Sequence, residues 1–277
     1  MEEAQKVCSF YKLSRFCGLY AKLTFMKTKR IVAIGDSFFY LCDHLDETGY
    51  RLNKGILPRI QNELPFPTEL INLGKNGSQT KDWIKDAFPA GDIYLILLGT
   101  NDWWSSARPI GTARDYLFRT EGTILGNLGA IVSHIKMVAP GAKIFLCNPV
   151  ERGDFVYILD YTNNAKGSYE PRNGRELKQI SDAIFAEARE SGVINVNTHD
   201  LCGISCYNAV KFKRCLVDGK VLDLPYPNYT VIPFDPENEL YPYPSEAIDM
   251  TYDGLHPSDK GAQAIAEVIA RAIIESL

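Results

Sequence analysis

Four short segments carry side chains that together could cleave an acyl bond: Gly35-Asp-Ser37, Asn72-Leu-Gly-Lys-Asn-Gly77, Gly99-Thr-Asn-Asp102 and Asp253-Gly-Leu-His256. Acyl transfer through a covalent intermediate needs a nucleophile, a base to take its proton, a group to orient that base, and donors for the oxygen that becomes anionic. The four segments supply each item once. A neutral serine hydroxyl is a weak nucleophile, so Ser37 needs an imidazole such as that of His256 within hydrogen-bond reach. Asp253, three residues before His256, is close enough to accept the second imidazole N–H and fix the tautomer. A plainer reading stands beside this one. Gly-Asp-Ser behind a strand also serves as a turn or helix cap, and Asp36 and Asp102 suit the holding of turn backbone.

The elements that would position these residues are legible as alternating strand and helix patterns. Strands are expected over Arg30–Ile34, Glu69–Asn72, Ile93–Leu98, Lys143–Cys147 and Val193–Val196. Helices are expected over Arg51–Glu63, Thr80–Phe88, Ala113–Val138, Gly174–Ser191 and Lys260–Glu275, the last capped by Ser258. Ile93-Tyr-Leu-Ile-Leu-Leu98 is nearly continuously apolar, as befits a strand covered on both faces. Such alternation implies a three-layer α/β/α, flavodoxin-like sandwich with a central five-stranded parallel sheet. Three of the four segments then follow strands and the fourth precedes the final helix, so all arrive at one edge of the sheet. The Pro-, Tyr- and Cys-rich stretch over 201–249 breaks the rhythm; it reads as an insertion in a single domain spanning 28–277, with a small hairpin, over one end of the sheet.

The four segments, in this order, resemble the blocks of the SGNH/GDSL hydrolase superfamily: a Gly-Asp-Ser, an Asn-x-x-x-x-Gly, a Gly-x-Asn-Asp and an Asp-x-x-His, spanning residues 35–256. The resemblance implies a serine esterase in which Ser37 is the nucleophile, Asp253 and His256 complete the triad, and Ser37, Gly77 and Asn101 form the oxyanion hole. It favours Gly77 over Gly74 as a donor, and the missing Cβ of Gly77 suits close approach of backbone to substrate. It also implies the flavodoxin-like fold already read from periodicity. One departure is visible: the first block continues Ser37-Phe-Phe-Tyr40 where many members carry Leu or Ile and then a small residue.

Composition narrows the rest. The 277 residues carry 30 Lys and Arg against 34 Asp and Glu, a net charge of −4 that argues against a nucleic-acid surface. No apolar run approaches the roughly 20 residues that span a bilayer. Residues 1–27 read as an N-terminal extension without a secretory signal, Met26 resembling a start, and a cytoplasmic location is expected. The cysteines at 8, 17, 42, 147, 202, 206 and 215 include no CxxC pair and lack a fourth ligand at zinc spacing, so free thiols and no metal or other cofactor are expected. Trp103 and Trp104 either line an acyl pocket, stack on a sugar ring, or pack in the core. Tyr241 and Tyr243 are candidates for an opposite wall, and His44 is near enough to the Ser37 loop to reach substrate, whereas His134 and His199 belong to no motif. The function expected is short-chain (acetyl) ester hydrolysis on a carbohydrate or small acylated metabolite. A lysophospholipase or thioesterase is the alternative, and a non-catalytic binding protein on the same fold a further one.

Overall fold

The computed structural model describes residues 27–277; the expected extension over 1–27 lies, but for its last residue, outside the described residues, as do Cys8 and Cys17. Along the chain run β1 (Lys29–Gly35), β2 (Thr68–Asn72), β3 (Ile93–Leu97), β4 (Lys143–Cys147), β5 (Phe155–Tyr157), β6 (Asp160–Ala165), β7 (Val193–Val196), β8 (Lys213–Val217) and β9 (Lys220–Leu224). Five of them form one parallel sheet in the order β2-β1-β3-β4-β7. That is the flavodoxin-like order, with the switch point between β1 and β3.

Successive strand residues face opposite sides, and the two sides hold separate cores. Ile31 and Ala33 of β1, Leu95 and Leu97 of β3 and Phe145 of β4 face one layer. Val32, Ile34, Tyr94, Ile96, Ile144 and Leu146 face the other. Because both faces are covered, these strands lack polar residues to alternate with.

The helices are α1 (Ser37–Tyr40), α2 (Ile56–Glu63), α3 (Thr100–Ser105), α4 (Ala113–Phe118), α5 (Ile124–Val138), α6 (Leu177–Glu187), α7 (Thr198–Leu201) and α8 (Asp259–Glu275). On the first face α8 lays Ile265, Ile269 and Ile273 beside Ile56 and Ile60 of α2. Each such burial contributes about 1.5–3 kcal/mol. On the second face α5 and α6 pack Ile124, Leu128, Ile131, Ile180 and Ile184. The final helix therefore fixes the approach of the segment just before it, Asp253–His256, to the sheet edge.

Some expected elements differ. The helix expected over Ala113–Val138 is two, α4 and α5. Arg119 adopts φ 56° and Gly122 φ 86°, which stops α4, and the Thr123 hydroxyl then accepts from the Gly126 N–H to start α5. Over Thr80–Phe88 there is only a 3-10 turn at Thr80–Trp83. The first long helix begins at Ile56 rather than Arg51, behind Gly55 and with Pro58 in its first turn, where a missing N–H is harmless.

Within 201–249, β8 and β9 form a hairpin closed by Asp218 and Gly219, both at positive φ as a tight two-residue turn requires. Further along, Tyr243 and Ala247 pack with Val156 and Val210 into a small third core. The five cysteines among the described residues are free and buried.

Candidate active site

Ser37 is the first residue of α1, immediately beyond the carboxyl end of β1, so its N–H has no partner inside its own short helix. Asp36 caps that helix, its carboxylate accepting from the Phe38 N–H at 3.1 Å. The Ser37 hydroxyl lies 2.9 Å from His256 Nε2, and His256 Nδ1 lies 2.7 Å from Asp253 Oδ2. A carboxylate only accepts, so Nδ1 carries the proton and Nε2 is left with its lone pair toward the serine. Asp253 Oδ1 also accepts from the backbone N–H groups of Leu255 (3.0 Å) and His256 (2.7 Å). One carboxylate thus shapes the loop and orients the ring. Phe155 meets the imidazole edge-on at a centroid distance of 5.4 Å, and Tyr252 stacks at 5.9 Å.

The loop bearing Asp253 and His256 is clamped by the segment after β4 and by β5 itself. Gly153 N–H donates to the Gly254 carbonyl at 2.8 Å and Val156 N–H to the Asp253 carbonyl at 3.2 Å. Gly254 holds φ 92°, and a Cβ there would fall 1.7 Å from the Asp154 carbonyl oxygen. Only glycine fits between the two segments.

The second and third segments close the other side. The Asn72 amide donates to the Phe39 carbonyl (2.8 Å) and its oxygen accepts from Gly74 N–H (2.9 Å), tying this turn to α1. Gly77 adopts φ 69° with open space where a Cβ would stand, so backbone conformation selects glycine there. Among the described residues its N–H has no acceptor. The Asn101 amide donates to the Ser78 carbonyl at 3.1 Å and to Asp36 at 3.3 Å. Burial pushes the Asp36 carboxyl up to about 7, against the pull of the Phe38 N–H and the nearby His256. Asp102, fully buried, accepts from the Thr80 N–H (2.9 Å) and hydroxyl (2.7 Å) and pairs with Arg108 (2.8 Å). It anchors the start of α3 and with it Asn101.

Ser37, Gly77, Asn101 and His256 line one cavity of about 220 Å³. Trp104 is on its wall, but Trp103 is not. Trp103 is buried beneath, its indole N–H donating to the Arg175 carbonyl at 2.9 Å. Tyr241 and Tyr243 also lie off the wall, as a correction to their expected place. The Tyr243 ring is wholly buried with its hydroxyl on the Asp154 carbonyl, and Tyr241 packs against Tyr161 and the Arg51 guanidinium. His44 stacks on Tyr40, away from the cavity. His134 meets Phe88, and His199 binds the Pro149 carbonyl through Nδ1. The wall facing Trp104 is instead built by Arg152, Phe155, Tyr157 and Asn163. These follow β4, and the rule that sites gather at the carboxyl ends of parallel strands would have pointed to them.

A larger cavity, about 800 Å³, lies between β7 and α8, lined by residues including Ile194, Cys202 and Val268. No histidine lines it, whereas the smaller cavity is lined by both Ser37 and His256. Among the described residues no three His, Cys, Asp or Glu side chains gather as a metal site would need, and no helix is long and apolar enough to cross a membrane.

Known proteins resemble the chain as follows. The model of the GDSL-like Lipase/Acylhydrolase family matches residues 33–209. The crystal structure of "a possible lipase" from Chitinophaga pinensis DSM 2588 is 41% identical, with a TM-score of 0.86, covering 90% of this chain and 98% of that one. A protein from Lactobacillus plantarum is 14% identical with a TM-score of 0.51, covering 91% and 98% of the two chains, a likeness of fold alone. No curated protein sequence matches.

Proposed function

The chain belongs to the GDSL-like lipase/acylhydrolase family, and on that footing we propose that it is a serine esterase removing short acyl groups, acetyl above all, from a carbohydrate or a small acylated metabolite. The observation that carries the reading is the unbroken run of hydroxyl, imidazole and carboxylate at 2.9 and 2.7 Å beside a solvent-reaching cavity. In the proposed reaction His256 Nε2 takes the Ser37 proton as Oγ bonds to the ester carbonyl carbon. The carbonyl oxygen, now anionic, meets the N–H groups of Ser37 and Gly77 and the Asn101 amide. Collapse breaks the bond to the alcohol, which leaves with the proton from His256. Water, deprotonated in turn by His256, then releases the acid and restores Ser37.

In the resting state both Asn101 amide hydrogens are held, one by Ser78 and one by the longer bond to Asp36. The amide must turn the latter toward the oxyanion as charge develops. Asn101→Ala is expected to lower kcat by about 10²–10³ with a smaller change in KM. Steady-state hydrolysis of 4-nitrophenyl acetate checks this, and a melting curve separates the part owed to the two lost hydrogen bonds. A kcat within threefold would remove Asn101 from the oxyanion hole.

The acyl preference rests on size. A cavity of about 220 Å³ lies below the roughly 300–1,000 Å³ of drug-sized pockets, which suits acetyl and disfavours a long chain. Trp104 lines the cavity, and an aromatic side chain there is of the kind that packs against a sugar ring. The lipolytic alternative draws support from the 41% identical structure described as "a possible lipase". A series of 4-nitrophenyl esters from acetyl to decanoyl decides between them. On the acetyl reading kcat/KM is highest at two or three carbons and falls about tenfold or more by hexanoyl; a rise through octanoyl would favour the lipolytic reading.

A further inference from the structure

Arg152 lines the Ser37 cavity although only 2% of it is exposed. Its guanidinium carbon stands 5.1 Å from the ring centroid of Trp104, 5.4 Å from that of buried Trp103 and 5.8 Å from that of Phe155, and Trp104 and Phe155 both line the cavity. One protein acceptor engages it: Nη2 donates to the Lys166 carbonyl at 2.9 Å. Nε is buried with no acceptor, and no carboxylate among the described residues pairs with the group. The two nearby carboxylates are committed elsewhere, Asp253 to His256 and Asp154 to Lys213 at 2.9 Å. Burial brings the guanidinium down to about 10, with Asp253 and Asp154 opposing, so it is a cation at neutral pH.

A buried cation with unused donors is unfavourable until something supplies acceptors. No carboxylate lines the cavity. A second guanidinium, that of exposed Arg172, lies 4.0 Å over the ring of Trp104.

We propose that Arg152 is a specificity residue that binds a compact oxyanion on the substrate, so that the preferred ester is an acidic one. The inference rests on the acetylesterase reading in one respect: an acetyl group bears no charge, so the anion belongs to the alcohol half. Carboxylate and phosphate match the planar donor fork alike, and the experiment distinguishes them.

The test compares 4-acetoxybenzoate and 4-acetoxyphenyl phosphate with neutral 4-acetoxybenzamide, by calorimetric binding to the Ser37→Ala protein, which leaves the ester intact. At least one anion is expected to bind about tenfold or more tighter than the amide, and the tighter one names the oxyanion. In Arg152→Met that preference is expected to vanish; in Arg152→Lys part of it remains, because charge persists without the fork. Amide binding as tight as both anions in the Ser37→Ala background overturns the proposal, whether or not the Arg152 variants fold. So does a full preference surviving in a cooperatively melting Arg152→Met protein. Turnover of the same esters by the unaltered protein reports separately on the esterase reading, so loss of one leaves the other standing.

Discussion

Ser37→Ala is expected to lower kcat for 4-nitrophenyl acetate by about 10⁵–10⁶ while the melting temperature stays within a few degrees of the parent. The size follows from the role. Without an acyl-enzyme the reaction falls back on direct attack by water, and only the remaining binding and oxyanion contacts accelerate it. The small effect on folding follows from the surroundings. The lost oxygen faces the cavity and has one hydrogen-bond partner, His256 at 2.9 Å, which water can replace. The hydroxyl does not cap α1; Asp36 does that. Activity within tenfold of the parent, in a protein that melts normally, would take Ser37 out of the mechanism.

The second large effect is expected at His256. In His256→Ala the nucleophile loses its base, and kcat is expected to fall by about 10⁵ or more, close to the loss at Ser37, because the two act as a unit. Here stability falls as well. The imidazole fills space between Phe155 and Tyr252, and its removal leaves Asp253, fully buried, with backbone donors only. Burying a carboxylate after deleting one partner is unfavourable. A clear drop in melting temperature should accompany the kinetic loss, whereas Ser37→Ala shows none. Circular dichroism melts and steady-state rates on the two proteins separate these outcomes; equal melting temperatures would mean that the Asp253 charge is satisfied without the ring.

Much of the framework was legible in the chain because its cause is local. β1, β3 and β4 are buried on both faces, and that burial writes itself as unbroken apolar runs. Ser258 and the spacing of Ile265, Ile269 and Ile273 announced α8, and so the loop it positions. The four chemistry-bearing segments were visible because each sits where such a strand or helix ends.

For the wall opposite Trp104 the strand-end rule points only to the stretch after β4; the hairpin that carries it is not legible, for physical reasons. β5 has three residues and β6 reads Asp160-Tyr-Thr-Asn-Asn-Ala165, with no alternation of apolar and polar residues to mark a half-buried strand. Phe155, Tyr157 and Asn163 reach the cavity by way of this hairpin. Arg152 lies between β4 and β5, and nothing in its sequence neighbours signals a buried guanidinium. Trp103 and Trp104 show a different limit. Adjacent residues on a helix point about 100° apart, so one of the pair had to turn from the cavity, and only packing decides which. Tyr241 and Tyr243 were placed by nearness in sequence to Asp253, but Tyr243 serves the small core beneath β5 instead.

The most direct test of the central assignment is covalent labelling with a fluorophosphonate, followed by peptide mapping of the modified residue. A single adduct on the Ser37 oxygen is predicted, formed far more slowly in His256→Ala. An adduct on any other residue, or no adduct in a protein that hydrolyses 4-nitrophenyl acetate, would contradict it.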